Sequence, residues 1–167
     1  MSAPAPHFRV LFVCTGNTCR SPLAQVALVR ALGDAAAKVT VGSAGTAALD
    51  GAPASAPSRD VARQAGLDLA GHRSRRLTRD LLAAADLVLL MDPRDRALVR
   101  SLDSEAAART HGLVDFGRER STGEAIPDPY GGSAEAYEEC LRRIESHLER
   151  VAPYVRAAVE ERTSGTR

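Results

Sequence analysis

Short apolar runs alternate with amphipathic stretches along this chain, and the alternation predicts its elements. Phe8-Arg9-Val10-Leu11-Phe12-Val13 is apolar and β-rich and predicts a buried strand. The stretch from Cys14 to Arg20 is rich in Gly, Asn and Thr and predicts a loop. Ser21-Pro22 then supplies a capping hydroxyl and a proline at a first helical position. A helix is expected from there to about Leu32, with Gly33 ending it. Lys38-Val39-Thr40-Val41 predicts a second strand, running into Gly42-Ser43-Ala44-Gly45. Residues 46–57, rich in Ala, Gly and Pro, predict a loop. Ser58 to Ala65 predicts a short helix stopped by Gly66, and Thr78 to Ala85 another. Asp86 to Met91 is a third buried strand. Asp92-Pro93 opens a helix toward Leu102 by the same cap-then-proline rule. Gly112-Leu113-Val114-Asp115 is a weaker fourth strand. Residues 116–132 form a long polar loop with two prolines and four glycines, a kind that is often functional inside a compact domain. Ser133 opens a last helix. Its Tyr137, Leu141, Ile144, Leu148 and Val151 follow steps of three and four and make one buried stripe.

Strands alternating with helices predict an α/β fold, with a parallel sheet covered by helices on both faces. Ligands of such sheets bind beyond the carboxyl ends of the strands, which is where the loop at Cys14 and the loop after Val114 fall. A length of 167 residues with 44% hydrophobic content suits one domain over residues 1–167, with disordered ends at 1–6 and 162–167. The 22 basic and 21 acidic residues leave a net charge of +1, which gives no footprint for nucleic acid and no polybasic membrane patch. An acidic ligand must therefore be held by a local arrangement. No apolar run approaches a membrane span, and the first six residues lack the features of a signal peptide, so the expected location is the cytoplasm. Three cysteines, an odd count in a chain of this size, are not a disulfide framework.

The chemistry concentrates in Cys14-Thr15-Gly16-Asn17-Thr18-Cys19-Arg20-Ser21-Pro22, between a strand and a helix. Successive backbone N–H groups in such a loop converge on one point, and the helix N-terminus adds its positive end; together they bind a tetrahedral dianion. Gly16 is expected to take unusual backbone angles, and Asn17 tolerates the left-handed region. Arg20 closes the site with a planar fork that holds two phosphate oxygens. The same positive field favours the thiolate of Cys14, which makes it a nucleophile, and the Ser21 hydroxyl can hydrogen-bond that sulfur. A leaving group needs a proton. Asp128, fixed between Pro127 and Pro129, is the candidate general acid, and afterwards the base that activates water. The loop and Arg20 supply the positive charge, so this reading calls for no metal and no cofactor.

Val13 to Pro22 resembles the active-site signature of the low-molecular-weight protein tyrosine phosphatases. Ser43-Ala44-Gly45-Thr46 and Asp128-Pro129-Tyr130 look like the same family, in the same order, over almost the whole chain. The resemblance implies a single-domain α/β fold with a four-stranded parallel sheet, a three-layer Rossmann-like sandwich. It implies Cys14 as nucleophile, Arg20 as phosphate clamp and Asp128 as general acid and base. Residues 15–21 would bind the phosphate, with Asn17 and Ser43 hydrogen-bonded to hold the loop's shape. In this family a cysteine placed like Cys19 can pair with the nucleophile under oxidation and protect it. The implied partners are phosphorylated proteins or peptides, with inorganic phosphate or similar oxyanions in the loop, for a monomer.

Thr18 stands where tyrosine phosphatases of the family often carry Ile and the related protein-arginine phosphatases carry Thr. The latter also resemble this chain at Tyr130-Gly131-Gly132-Ser133, where many tyrosine phosphatases have a second aromatic in place of Gly131. Leu49 stands where several of those have Trp. Thr18, Leu49 and Tyr130 are therefore the candidate specificity residues. They lean toward phosphoarginine ahead of phosphotyrosine, because a Thr hydroxyl suits a guanidinium better than a phenyl ring. Arsenate reduction needs further redox cysteines, and none lies between Cys19 and Cys140. An inactive phosphate-binding module usually lacks the nucleophile or the acid, and both are present here. Cys140 lies on the apolar stripe and reads as core. His72 could support the site from behind but reads first as a loop or packing residue; Arg73-Arg75-Arg76 could attract acidic phosphoprotein substrates but reads first as a solvated basic loop; Asp92 could be a supporting carboxylate but reads first as a helix cap.

Overall fold

The computed structural model describes residues 7–165. Its centre is β1 (Phe8–Cys14), flanked by β2 (Val39–Gly45) on one side and by β3 (Leu87–Leu90) and then β4 (Thr110–Gly112) on the other. Every pairing is parallel, and the strand order is β2-β1-β3-β4. The helices are α1 (Arg20–Leu32), α2 (Ala56–Gln64), α3 (Arg79–Ala84), α4 (Arg96–Leu102) and α5 (Ala134–Ser164).

The two-residue period of the strands divides the core. Val10 and Phe12 of β1 with Leu87 and Leu89 of β3 point into a cluster with Leu23, Leu28, Val61, Leu141, Ile144 and Leu148 from α1, α2 and α5. Leu11 and Val13 with Val88 and Leu90 point the other way, against Leu82 of α3 and Val99 of α4. Burial on both faces explains why β1 and β3 read as continuous apolar runs. The stripe expected on the last helix is buried throughout and continues through Val155 and Val159.

Several boundaries differ from the sequence expectation. The helix expected from Ser58 begins at Ala56, because Ser55 caps it by accepting a hydrogen bond from Ser58 N at 3.3 Å. The fourth strand lies earlier than Gly112–Asp115. Thr110 and Gly112 pair with Val88 and Leu90, while Leu113 and Val114 are apolar because they turn into the core. The helix expected from Asp92 starts as a 3-10 turn over Pro93–Asp95 before α4. The C-terminal fraying expected from residue 162 does not hold to Ser164: Arg162 pairs with Asp86 at 2.6 Å and stacks on the Phe8 ring, 4.8 Å from its centroid. The remaining expected disorder, at 1–6 and 166–167, lies outside the described residues. Among the described residues, no helix is long and apolar enough to cross a membrane.

Candidate active site

The loop between β1 and α1 wraps around the Cys14 sulfur. Ser21 Oγ lies 3.0 Å from Cys14 Sγ, and the Asn17 backbone N–H donates to the same sulfur at 3.3 Å. At the start of α1 the cap residue Cys19 makes no side-chain cap bond and the first turn carries no acid, so the helix's positive end is left for an anion. Asn17 takes the left-handed conformation it is expected to tolerate, at φ 54°, while Gly16 does not use the freedom it has. The Asn17 side chain explains why. Asn17 Nδ2 donates to Ser21 Oγ at 2.8 Å and to Ser43 Oγ at 2.9 Å, while its Oδ1 accepts from Arg75 N at 2.9 Å.

These bonds have a direction. Ser43 Oγ donates to Gln25 Oε1 at 2.7 Å and so accepts from Asn17. Ser21 Oγ also accepts from Asn17, which leaves its own hydrogen for the Cys14 sulfur. Asn17→Ala removes three hydrogen bonds, two of them buried, and leaves an alanine in the left-handed region. It is expected to cost about 3 to 4 kcal/mol in denaturant unfolding and to lower activity with it.

Gly45 is the reason for the Ser-Ala-Gly-Thr stretch after the second strand. A Cβ there would stand 2.5 Å from Thr15 O and 2.9 Å from Asn17 N. The missing side chain lets Thr46 N and Ala47 N donate to Cys14 O and Thr15 O, each at 2.9 Å. His72, for which a supporting role is the second of two readings, belongs to the same support: its Nε2 is 2.7 Å from Asn17 O. A carbonyl only accepts, so Nε2 carries the hydrogen. Burial lowers the His72 pKa, the bond to Asn17 opposes this, and the Arg73 and Arg75 charges lower it further.

Arg20 is 4% exposed. Its Nη1 donates to Ile126 O at 3.1 Å, and its Nη2 to Thr15 Oγ1 at 3.4 Å and Asp128 Oδ2 at 3.1 Å. Its Nε is buried with no partner among the described residues. Nε and Nη2 share one edge of the guanidinium, and such an edge can hold two oxygens of an oxyanion. Asp128 Oδ1 accepts from Tyr130 N at 3.1 Å. The late loop reaches this spot by extending the sheet edge: Met91 N donates to Val13 O and Ile126 N to Met91 O, both at 2.8 Å. Asp115 clasps the same loop, accepting from Ser121 Oγ at 2.6 Å, Thr122 N at 2.6 Å, Thr122 Oγ1 at 2.8 Å and Gly123 N at 3.0 Å. Burial pushes the Asp115 carboxyl up, but these bonds outweigh it and hold it well below the usual carboxylate range.

A cavity of about 220 Å³ is lined by Cys14, Thr15, Gly16, Thr18, Cys19, Arg20, Asp128 and Tyr130. Leu49 is not among them; it is 82% exposed, and its carbonyl accepts from Ser74 Oγ. Cys19 Sγ faces Ser55 Oγ at 3.3 Å and Tyr137 OH at 3.7 Å. Cys140 is buried, and burial pushes its thiol up to about 12, as expected of a core residue. Asp92 caps its turn by accepting from Arg94 N at 2.9 Å. The sequence reading missed Gln25, Ser55, Tyr137 and the Ile126 carbonyl. Only Gln25 carries a signal, one helical turn after Ser21.

A thiol and a guanidinium at either end of an oxyanion-sized loop, at the carboxyl edge of a parallel sheet, define a cysteine-dependent phosphatase. The family model for the low molecular weight phosphotyrosine protein phosphatases matches residues 9–163. The chain is 36% identical over 148 residues to a probable low molecular weight protein-tyrosine-phosphatase, EpsP, of Ralstonia nicotianae, covering 89% of this chain and 96% of that one. It is 35% identical over 145 residues to a protein-arginine-phosphatase of Geobacillus stearothermophilus, covering 87% and 94%. Among solved structures, the YwlE arginine phosphatase of Geobacillus stearothermophilus superposes with a TM-score of 0.82 at 34% identity, covering 92% of this chain and 96% of that one. Escherichia coli Wzb, a tyrosine phosphatase solved in complex with sulphate, gives 0.79 at 31%, covering 89% and 99%. The chain belongs to the low-molecular-weight protein phosphatase family and is an enzyme of the cysteine-dependent kind.

Proposed function

We propose that this phosphatase hydrolyses phosphoarginine in proteins in preference to phosphotyrosine, through a phosphocysteine on Cys14. In the first step the Cys14 thiolate attacks phosphorus, and the bond to the leaving nitrogen breaks as Asp128 gives that nitrogen its proton. Arg20 Nε and Nη2, with the loop amides, hold the equatorial oxygens as charge spreads onto them. In the second step water attacks the phosphocysteine, Asp128 takes its proton, and Ser21 donates to the departing sulfur. The resting ion pair between Arg20 and Asp128 at 3.1 Å supports these roles, because an incoming phosphoryl group would take Arg20 Nη2 and free the carboxylate to pick up from solvent the proton it then gives to the leaving nitrogen. The reaction suits the cytoplasm, where thiols stay reduced.

The observation that carries the substrate choice is the cavity wall. Thr18 lines the cavity with a hydroxyl, and Tyr130 is its one aromatic lining residue. The next residue, Gly131, sits at φ 75° and offers no side chain to close the other side of a slot. A planar guanidinium can donate to a hydroxyl, while a phenyl ring gains nothing from it and forfeits apolar contact. Phosphotyrosine is the second reading, favoured by Tyr130, which is 77% exposed at the rim and free to stack on a phenol.

Side-by-side kinetics on phosphoarginine and phosphotyrosine peptides test the choice. The parent protein is expected to have the higher kcat/KM on phosphoarginine. Thr18→Ile adds apolar area and removes a hydrogen-bonding group, a change of about 1 to 3 kcal/mol in discrimination. It should move the ratio toward phosphotyrosine by about tenfold to a hundredfold. An unmoved ratio would dismiss the role given to Thr18.

A further inference from the structure

The segment 72–76 carries Arg73, Arg75 and Arg76 and no acidic residue, in a chain whose net charge is only +1. It is not a loose loop. It is built into the edge of the catalytic centre: the His72 side chain bonds Asn17 O through Nε2, the Arg75 backbone N bonds Asn17 Oδ1, and Arg76 forms an isolated parallel bridge with Gly45. It also holds the neighbouring loop, through Gly51 N to Ser74 O and Ser74 N to Ala52 O, both at 2.7 Å.

The three arginines are used differently. Arg75 Nε donates to Ser43 O at 2.9 Å and serves the sheet. Arg73 Nη1 donates to Ala70 O at 3.2 Å and His72 O at 2.6 Å while the side chain stays exposed. The Arg76 guanidinium has no hydrogen-bond or ion-pair partner among the described residues. Asp50 beside it accepts from the Arg76 backbone N–H at 2.7 Å and forms no ion pair with any of the three. Two exposed arginine side chains thus rise from a fixed backbone, and neither is ion-paired with a carboxylate.

Their distance from the chemistry follows from the pairing. Cys14 pairs with Gly45, and Gly45 with Arg76. Two strand spacings of about 4.8 Å put the Arg76 Cα about 10 Å from that of Cys14. A peptide seated over Cys14 advances about 3.3 Å per residue. Residues about two to four places from the phosphorylated one therefore fall within reach of an arginine side chain.

Resting on the reading of this site as a protein phosphatase, we propose that Arg73 and Arg76 form a docking patch for acidic residues flanking the phosphorylated position. The substrates it fits are acidic segments of phosphoproteins. The patch determines sequence preference around the scissile group, whichever phosphorylated side chain enters the cavity.

The test uses the full chain and pairs of phosphopeptides, made once with phosphoarginine and once with phosphotyrosine. Within each pair only the three residues on either side differ, Glu in one and Gln in the other. The ratio of kcat/KM within a pair is internal to each variant, so a general change in activity cancels. The parent protein is expected to favour the Glu-flanked peptide by about tenfold at low salt, falling toward about twofold at high salt as screening grows. Arg73→Glu with Arg76→Glu should bring the ratio to one or below, and Arg73→Gln with Arg76→Gln should bring it close to one. A parent ratio near one, or a ratio both double variants leave unchanged, overturns the docking patch and leaves the phosphatase reading intact. No hydrolysis of any of the peptides by the parent protein overturns the reading beneath it as well.

Discussion

Cys14→Ser is expected to lower turnover by about 10⁴-fold or more, the largest effect of any single substitution in this molecule. The surroundings of the sulfur are built for an anion that forms without a dedicated base. Ser21 donates to it, the Asn17 N–H donates to it, and the N-terminus of α1 is left without a side-chain cap or an acid in its first turn. A thiol gives up its proton intrinsically far more readily than an alcohol, which at the same place would keep it. None of the groups bonded to the sulfur is a base: Ser21 Oγ and Asn17 N both act as donors, and Asp128 is bonded to Arg20. Oxygen for sulfur is nearly isosteric, so the variant should unfold within about 1 kcal/mol of the parent and should still bind inorganic phosphate. Single-turnover phosphate release checks it. Retained turnover would show that the phosphoryl group never passes through this residue.

The parts of the site legible in the sequence are those whose chemistry is local. Cys14, Arg20 and Ser21 lie within one loop and its helix, so their spacing alone announces an oxyanion site. Asp128 was legible because two prolines mark a fixed backbone. The support behind the loop was not legible, because it comes from far along the chain. His72 reaches Asn17 across 55 positions and Arg75 across 58, and neither neighbourhood differs in composition from a solvated basic turn. The late boundary of the fourth strand failed for a related reason. Leu113 and Val114 carry the apolar character of a strand, but they are buried by the turn that Asp115 closes on Gly112. Leu49, a candidate specificity residue, stands outside the cavity lining because position along a loop does not say which way the loop faces.

Asp128→Asn is the second large effect, and its signature is a split between chemistry and binding. General acid catalysis contributes about 10²- to 10⁴-fold, and kcat on a phosphorylated peptide should fall by that amount. Binding should move the other way. In the unliganded site Asp128 Oδ2 holds Arg20 Nη2 at 3.1 Å, on the guanidinium edge whose Nε has no partner. An oxyanion must displace that carboxylate and also meets its negative charge. Removing the charge frees the edge, so inorganic phosphate should bind as tightly as before or a few-fold tighter. The loss in kcat should also depend on the leaving group. An aryl phosphate whose phenol departs without a proton passes the first step almost unhindered, while water still lacks its base in the second. Phosphocysteine should then accumulate on Cys14 and be trapped by rapid acid quench. Equal losses for good and poor leaving groups, or weaker phosphate binding in the variant, would assign Asp128 to holding the loop rather than to moving the proton.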